Sequence, residues 1–243
     1  MKHVFCFLLV GTLLSAVGAS AQHNNEISFA FGPRFGFNIS SASYSPDQPS
    51  VLSKGSRMGI LFGGVAEMHI ADFANVQVEP TYIQKGDKLT LTQDVQLQDG
   101  TTLPNGTTIT DQLSELDIPI LFKAKFETKS PIRPYAVAGP TIGFVLSSNQ
   151  HIEVQGGQTS DNDAGSTTSS IDFGLLFGAG AEYAVSHNIG LTFDIRYQLG
   201  LSNLDNQSPA QAQQGQQQQQ QNTQSQSIKS GGIQFAIGAL FSI

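Results

Sequence analysis

The chain contains no tryptophan and a single cysteine, Cys6. Cys6 lies within the opening stretch MKHVFCFLLVGTLLSAVGASAQ, so the sequence beyond it holds no thiol. That excludes disulfides, thiolate metal centres and cysteine nucleophiles, and leaves stability to packing and hydrogen bonds. Basic residues are also scarce, with 12 Lys and Arg against 19 Asp and Glu and a formal net charge of −7. Such a balance lacks the electrostatic footprint of a nucleic-acid binder. After Gln22 no apolar run approaches the roughly 18 to 20 residues that a membrane helix requires. If the chain crosses a bilayer it must do so as a closed sheet, the other way to satisfy every backbone group there.

The opening stretch places Lys2 before an apolar run and ends in the small residues Ala19, Ser20 and Ala21. This reads as a secretory signal peptide over residues 1–21, cut between Ala21 and Gln22. Residues 22–243 then suit one domain.

Within that domain the clearest pattern is IDFGLLFGAGAEYAVSHNIGLTFDIRYQLGLS, Ile171 to Ser202. Its odd positions carry Phe173, Leu175, Phe177, Tyr183, Leu191, Phe193, Ile195, Tyr197 and Leu199. Its even positions carry Asp172, Gly174, Gly178, Gly180, Glu182, Asp194, Arg196 and Gly200. A period of two predicts a pair of strands joined by a tight turn at Ser186 to Asn188. A water-facing surface is seldom built from glycine interrupted by charge. Glycine rows suit a crowded space where side chains from elsewhere need room, so the bulky face is expected to meet lipid and the polar face to line a closed interior.

The same inverted alternation predicts strands at Glu26 to Ser40, Met58 to Ala71, Val76 to Thr90, Leu113 to Phe126, Arg133 to Ser147 and Gly232 to Ile243. The expected fold is therefore all-β, a closed antiparallel transmembrane β-barrel of about eight strands. Short connections near Ala71 to Asn75, Glu127 to Ile132 and Ser186 to Asn188 alternate with long polar ones at Ser41 to Arg57, Leu91 to Gln112, Ser148 to Ser170 and Asn203 to Ser230. Short periplasmic turns and long extracellular loops are the usual arrangement, with both termini in the periplasm. The stretch with Asp99-Gly100 and Asn105-Gly106 alternates like strand and is expected to continue strands three and four as a hairpin above the membrane. The Gln-rich segment 204–230 is low in apolar residues and without period, and is expected to be a disordered extracellular loop. Pro33, Pro80, Pro119, Pro134 and Pro140 fall inside expected strands, where bulges would accommodate the missing N–H groups.

The pieces VQVEPTYIQKGDK, ELDIPILFKAKF, RPYAVAGPTIGFVLS, DFGLLFGAGAEY and DIRYQLGLSNL, taken in order, resemble the strand signatures of the PorT-like outer-membrane β-barrel family of Gram-negative bacteria. The resemblance covers nearly all of the domain and implies an eight-stranded barrel in the outer membrane, with the prolines belonging to the family's own motifs. It implies little about activity, since the family is named for a member tied to protein secretion. The chain's end, with Gly238, Phe241 and Ile243, resembles the terminal signal read by the barrel-insertion machinery, departing from it at Ala236 and in closing on Ile243.

Candidate chemistry is thin. Asp161, Asp163 and Gly165 form at most a fragment of a calcium loop and read as a solvated turn. His151, Glu153 and Ser147 or Ser148 could be assembled into a hydrolase set, but such residues at a loop base are expected by chance. His69 has no second His or Cys and belongs to the polar interior. No metal, cofactor or catalytic activity is expected. The stronger signal is the charge placed inward by register: Arg34, Lys85, Lys123, Lys125 and Arg196, with Glu67, Glu79, Asp117, Asp172, Glu182 and Asp194. Near-balanced signs predict mutual pairing into a structural plug, because unpaired charges in a narrow lumen are costly. Arg196 is expected at its centre, opposite Gly178 or Gly180 and within reach of Asp194 and Glu182. The expected role is structural or interactive, through loops that could hold a protein partner; a narrow channel or an accessory part in secretion is the alternative.

Overall fold

The structure, a computed structural model, describes residues 28–45, 51–71, 73–96, 100–126, 128–154, 157–163, 170–202 and 227–243. The expected cleavage between Ala21 and Gln22 and most of the glutamine-rich segment lie outside the described residues. Among the described residues every element is a strand, as alternating Phe, Ile, Val, Tyr and Thr favour. In chain order these are β1 (Phe29–Ser45), β2 (Leu52–Ala71), β3 (Ala74–Val78), β4 (Thr81–Leu91), β5 (Val95–Gln96), β6 (Thr102–Leu103), β7 (Thr108–Lys125), β8 (Ile132–Val154), β9 (Gln158–Asp163), β10 (Ile171–Ala184), β11 (Ile189–Gly200) and β12 (Ser227–Ser242).

Eight strand positions form a closed antiparallel ring. β1 pairs with β2 on one side and β12 on the other, and the circuit continues through β3 and β4, β7, β8, β10 and β11 back to β12. β3 and β4 occupy one position, since both pair with β2 and with β7 on either side of Glu79–Pro80. The tight turn after β10 is held by Val185 and Ser186, whose N–H groups donate to the Ile189 carbonyl at 2.9 and 3.1 Å. It sets Gly178 opposite Arg196, Gly180 opposite Asp194 and Glu182 opposite Thr192.

Burial is inverted, as the alternation requires. Phe35, Phe122 and Phe193 are each about half exposed (55, 50 and 51%), whereas Glu79 and Lys123 are fully buried. The interior is not wholly polar. Leu121, Tyr135, Val137 and Leu176 cluster inside, as do Leu61, Ile83 and Ala236, filling the space between charged groups. A ring of eight strands is only wide enough for side chains to fill.

Three expectations require correction. The prolines do not coincide with bulges. Register shifts fall between Ser56 and Leu61 of β2, opposite β4, between His69 and Ala71 of β2, opposite β3, and between Ser114 and Glu115 of β7, opposite β8. Gly86, at the first of these, has φ 145°, which suits glycine. At Pro33 and Pro140 the ladder simply skips a step: β1 loses pairing with β12 at Gly32 and Pro33, and β7 loses pairing with β8 at Ile120 and Leu121, with the register unchanged beyond. A local gap forfeits one bond, while a bulge would turn every following side chain to the other face. Second, three long connections are partly strand. β1 runs on to Ser45 and β2 starts at Leu52, β8 reaches Val154 and folds back as β9, and β12 begins at Ser227 rather than after Ser230. Strands already aligned by the ring extend their ladders at little further cost in entropy, whatever the local polarity. Third, Asp161 and Asp163 are strand residues of β9, paired with His151 and Asn149, and not a turn.

Candidate functional site

The interior charges come from the inward face of six of the eight ring positions, and they assemble as three layers. At the end nearest the short turns, Lys123 and Lys125 of β7 meet Glu67 of β2 and Glu182 of β10. Lys123 Nζ lies 2.9 Å from Glu67 and 3.1 Å from Glu182; Lys125 Nζ lies 2.8 and 3.4 Å from the same carboxylates. Glu67 also accepts from the side-chain amides of Asn75 and Gln77 on β3. His69 fits the polar interior, with Nδ1 3.3 Å from the Ser28 carbonyl oxygen and Nε2 3.3 Å from Lys125 Nζ.

The middle layer joins Arg34 of β1, Glu79 between β3 and β4, Asp194 and Arg196 of β11, and Tyr135 of β8. Arg34 donates to Glu79 at 3.0 Å and to Asp194 at 2.8 Å. Arg196 grips both oxygens of Glu79, at 2.5 and 3.1 Å, and also donates to Asp194 at 3.1 Å. The Tyr135 hydroxyl donates to Asp194 at 3.0 Å. Its ring carries Lys123 Nζ 4.3 Å from the centroid, a cation–π contact that links this layer to the one below.

Towards the long loops, Lys85 of β4 meets three carboxylates: Glu115 at 2.5 Å, Asp117 at 3.3 Å and Asp172 at 3.4 Å. Gln198 donates to Asp117 at 2.8 Å and Gln234 donates to Gln198 at 2.9 Å. Ser202 and Ser230 both donate to Asp172. Beyond this layer the Asn38 amide donates to the Gln84 carbonyl at 3.1 Å, and the Ser40 hydroxyl bonds both backbone groups of Gly86 at 2.9 Å.

Glycine makes this density possible. A Cβ at Gly178 would fall 2.8 Å from Arg196 Cγ, and one at Gly180 would fall 2.5 Å from Tyr135 Cζ. The glycine row on β10 is thus the floor on which Arg196 and Tyr135 lie.

All eleven inward charges read from the sequence, namely Arg34, Glu67, Glu79, Lys85, Asp117, Lys123, Lys125, Asp172, Glu182, Asp194 and Arg196, take part in these layers. One partner was misassigned. Arg196 pairs with Asp194 and Glu79, not Glu182, because Glu79 reaches across the ring while Glu182 is drawn to the two lysines of β7. Glu115 and Tyr135 also line the interior, beyond the eleven. Glu115 shares the parity of Asp117 on the same strand, so alternation could have found it. Tyr135 shares the parity of Gly139 and Gly143 but looks like a lipid-facing aromatic. Among the described residues no group of three or more His, Cys, Asp or Glu is arranged to hold a metal ion.

An outward apolar girdle closed round a charged interior is the geometry of a barrel in lipid. Residues 20–206 match the outer membrane protein beta-barrel domain family. The chain belongs to that family. Its place is accordingly the outer membrane, and its half-exposed Phe and Ile residues face membrane lipid. Solved structures of similar shape include the Neisserial surface protein A, 18% identical over 86% of this chain and 97% of that one, with a TM-score of 0.39. The attachment invasion locus protein Ail of Yersinia pestis is 12% identical over 88 and 99%, TM-score 0.39. OprG of Pseudomonas aeruginosa is 11% identical over 92 and 99%, TM-score 0.46. No curated protein matches the sequence.

Proposed function

We propose that this protein is a non-catalytic outer-membrane barrel whose lumen is plugged by paired charges and whose role is structural or interactive. The observation that carries the reading is the succession of three ion-paired layers, with Glu79, Glu67, Lys123 and Glu115 all fully buried. A path for solutes would need water between these groups. Unpaired charge in so narrow a space would be costly, whereas pairing returns much of the desolvation cost. A plugged barrel acts through what it displays. The long-loop end, where β8 and β9 project as a hairpin, is the surface offered to a protein partner, while the short turns and both termini lie in the periplasm. The C-terminal strand β12 is the segment handed to the barrel-insertion machinery. The in-order strand signatures support kinship with the PorT-like group, and with it an accessory part in secretion as a narrower role. Planar-bilayer recording tests the plug. The purified barrel is expected to leave the membrane non-conducting, while reproducible single-channel steps that change with Arg196→Ala would replace the plug by a narrow channel.

A further inference from the structure

Charge balances in two layers of the lumen and fails to balance in the third. Two lysines face two carboxylates at the short-turn end, and two arginines face two carboxylates in the middle. Towards the long loops a single ammonium, Lys85, faces Glu115, Asp117 and Asp172, and none of the four is more than 5% exposed. The adjoining strands do not make up the difference. On β2 the half-buried Arg57 donates to the Lys85 carbonyl at 3.0 Å, but Asp87 on β4 and Asp111 on β7 add further negative charge. β1 presents Asn38 and Ser40, β8 presents Thr141 and Gly143, β11 presents Gln198, and β12 presents Ser230 and Gln234, all neutral. Three carboxylates sharing one buried ammonium do not all keep their charge, because like charges at such separations repel strongly where water is scarce.

The pattern of donors identifies which of the three is neutral. Asp172 accepts from two serine hydroxyls and Asp117 from Gln198, interactions that favour the ionised form. Glu115 has Lys85 alone, through Oε2, and its Oε1 is buried without a hydrogen-bond partner. In register its strand neighbours are apolar on both sides, Ile83 on β4 and Val145 on β8. A bare, buried oxygen is far more costly on a carboxylate than on a carboxylic acid. The site is also tight. A Cβ at Gly143 would come within 2.8 Å of Glu115 Oε2 and 2.6 Å of Asp117 Oδ1, so both carboxyls pack against the β8 backbone. A proton needs no further room there, whereas a hydrated cation would. We infer that Glu115 is a proton-binding site at the long-loop end of the lumen, occupied at neutral pH, so that Lys85 faces two carboxylates and one carboxylic acid.

The inference goes beyond the plug and holds whether or not the barrel conducts. The test is infrared difference spectroscopy of the full-length protein folded in lipid, recorded across a pH titration. The carbonyl stretch of a protonated carboxylic acid should persist at neutral pH, vanish on alkalinisation and be missing from Glu115→Gln, while Glu79→Gln retains it. In the same window the native barrel binds a proton that the unfolded chain has already released, so wild-type stability should fall as pH rises. Glu115→Gln should show no such fall and should fold at least as well as wild type. If that variant does not fold, Asp172→Asn serves instead: with one negative charge gone Glu115 should ionise and the band should disappear. A wild type without the band at neutral pH overturns the inference, as does Glu115→Gln that folds and retains the band.

Discussion

Arg196 and Glu79 meet across the full width of the barrel, the guanidinium nitrogens 2.5 and 3.1 Å from the two carboxylate oxygens. Glu79 belongs to the third position of the eight-membered ring and Arg196 to the seventh, so the contact ties opposite walls together. The planar fork of Arg suits such two-point binding better than the point charge of Lys. Removing one partner strands a buried charge, and Arg196→Ala or Glu79→Gln is expected to cost on the order of 3 to 5 kcal/mol. Arg196→Lys should recover only part of this. Urea unfolding of the single and double variants in lipid is the check. The double change should cost clearly less than the sum of the singles; simple additivity would show that the pair is solvated and not coupled.

The outward face answers to lipid, and Phe193 is its clearest representative on β11. Phe193→Arg is expected to destabilise the folded barrel by about 2 to 4 kcal/mol if it lies near the bilayer midplane. His187→Arg, exposed in the turn after β10, should be nearly neutral. Equal tolerance of both, measured by the same unfolding assay, would mean that the girdle does not contact lipid.

Gly180 leaves the space that Tyr135 occupies. Gly180→Ala places a Cβ about where the phenol ring lies, and overpacking of this kind costs typically about 1 to 3 kcal/mol. Combining it with Tyr135→Ala should relieve the contact with the ring but not the 2.5 Å approach to the Phe193 carbonyl oxygen, so the double variant should lose less than the two singles together without regaining wild-type packing at β10. A heat-modifiability gel with graded temperature would report the order of stabilities. A Gly180→Ala barrel as heat-resistant as wild type would show that Tyr135 does not rest on β10.

Because the chain beyond Cys6 has no cysteine, orientation can be read with introduced thiols. Thr159→Cys on β9 should react with an impermeant maleimide in intact cells. Lys129→Cys, in a short turn, should react only after the outer membrane is permeabilised. The opposite pattern would invert the topology proposed for the loops and termini.

Much of this barrel is legible in one dimension because side-chain direction in a strand is a local property. Parity alone separates Phe193 and Ile195 from Asp194 and Arg196, and a turn as tight as Ser186 to Asn188 fixes which residues of β10 and β11 stand opposite. The glycines at Gly178 and Gly180 announce that something large must lie over them. What lies there is a tertiary matter. Whether Arg196 reaches Glu182 on the adjacent strand or Glu79 on the far wall depends on ring size, strand tilt and stagger, quantities that belong to the closed sheet and to no single strand. The same holds for Tyr135, whose parity points inward but whose aromatic ring reads equally well as lipid-facing. It also holds for the imbalance around Lys85, because a chain with near-even inward charge can distribute it unevenly among layers, and only closure brings Glu115, Asp117 and Asp172 to the same ammonium.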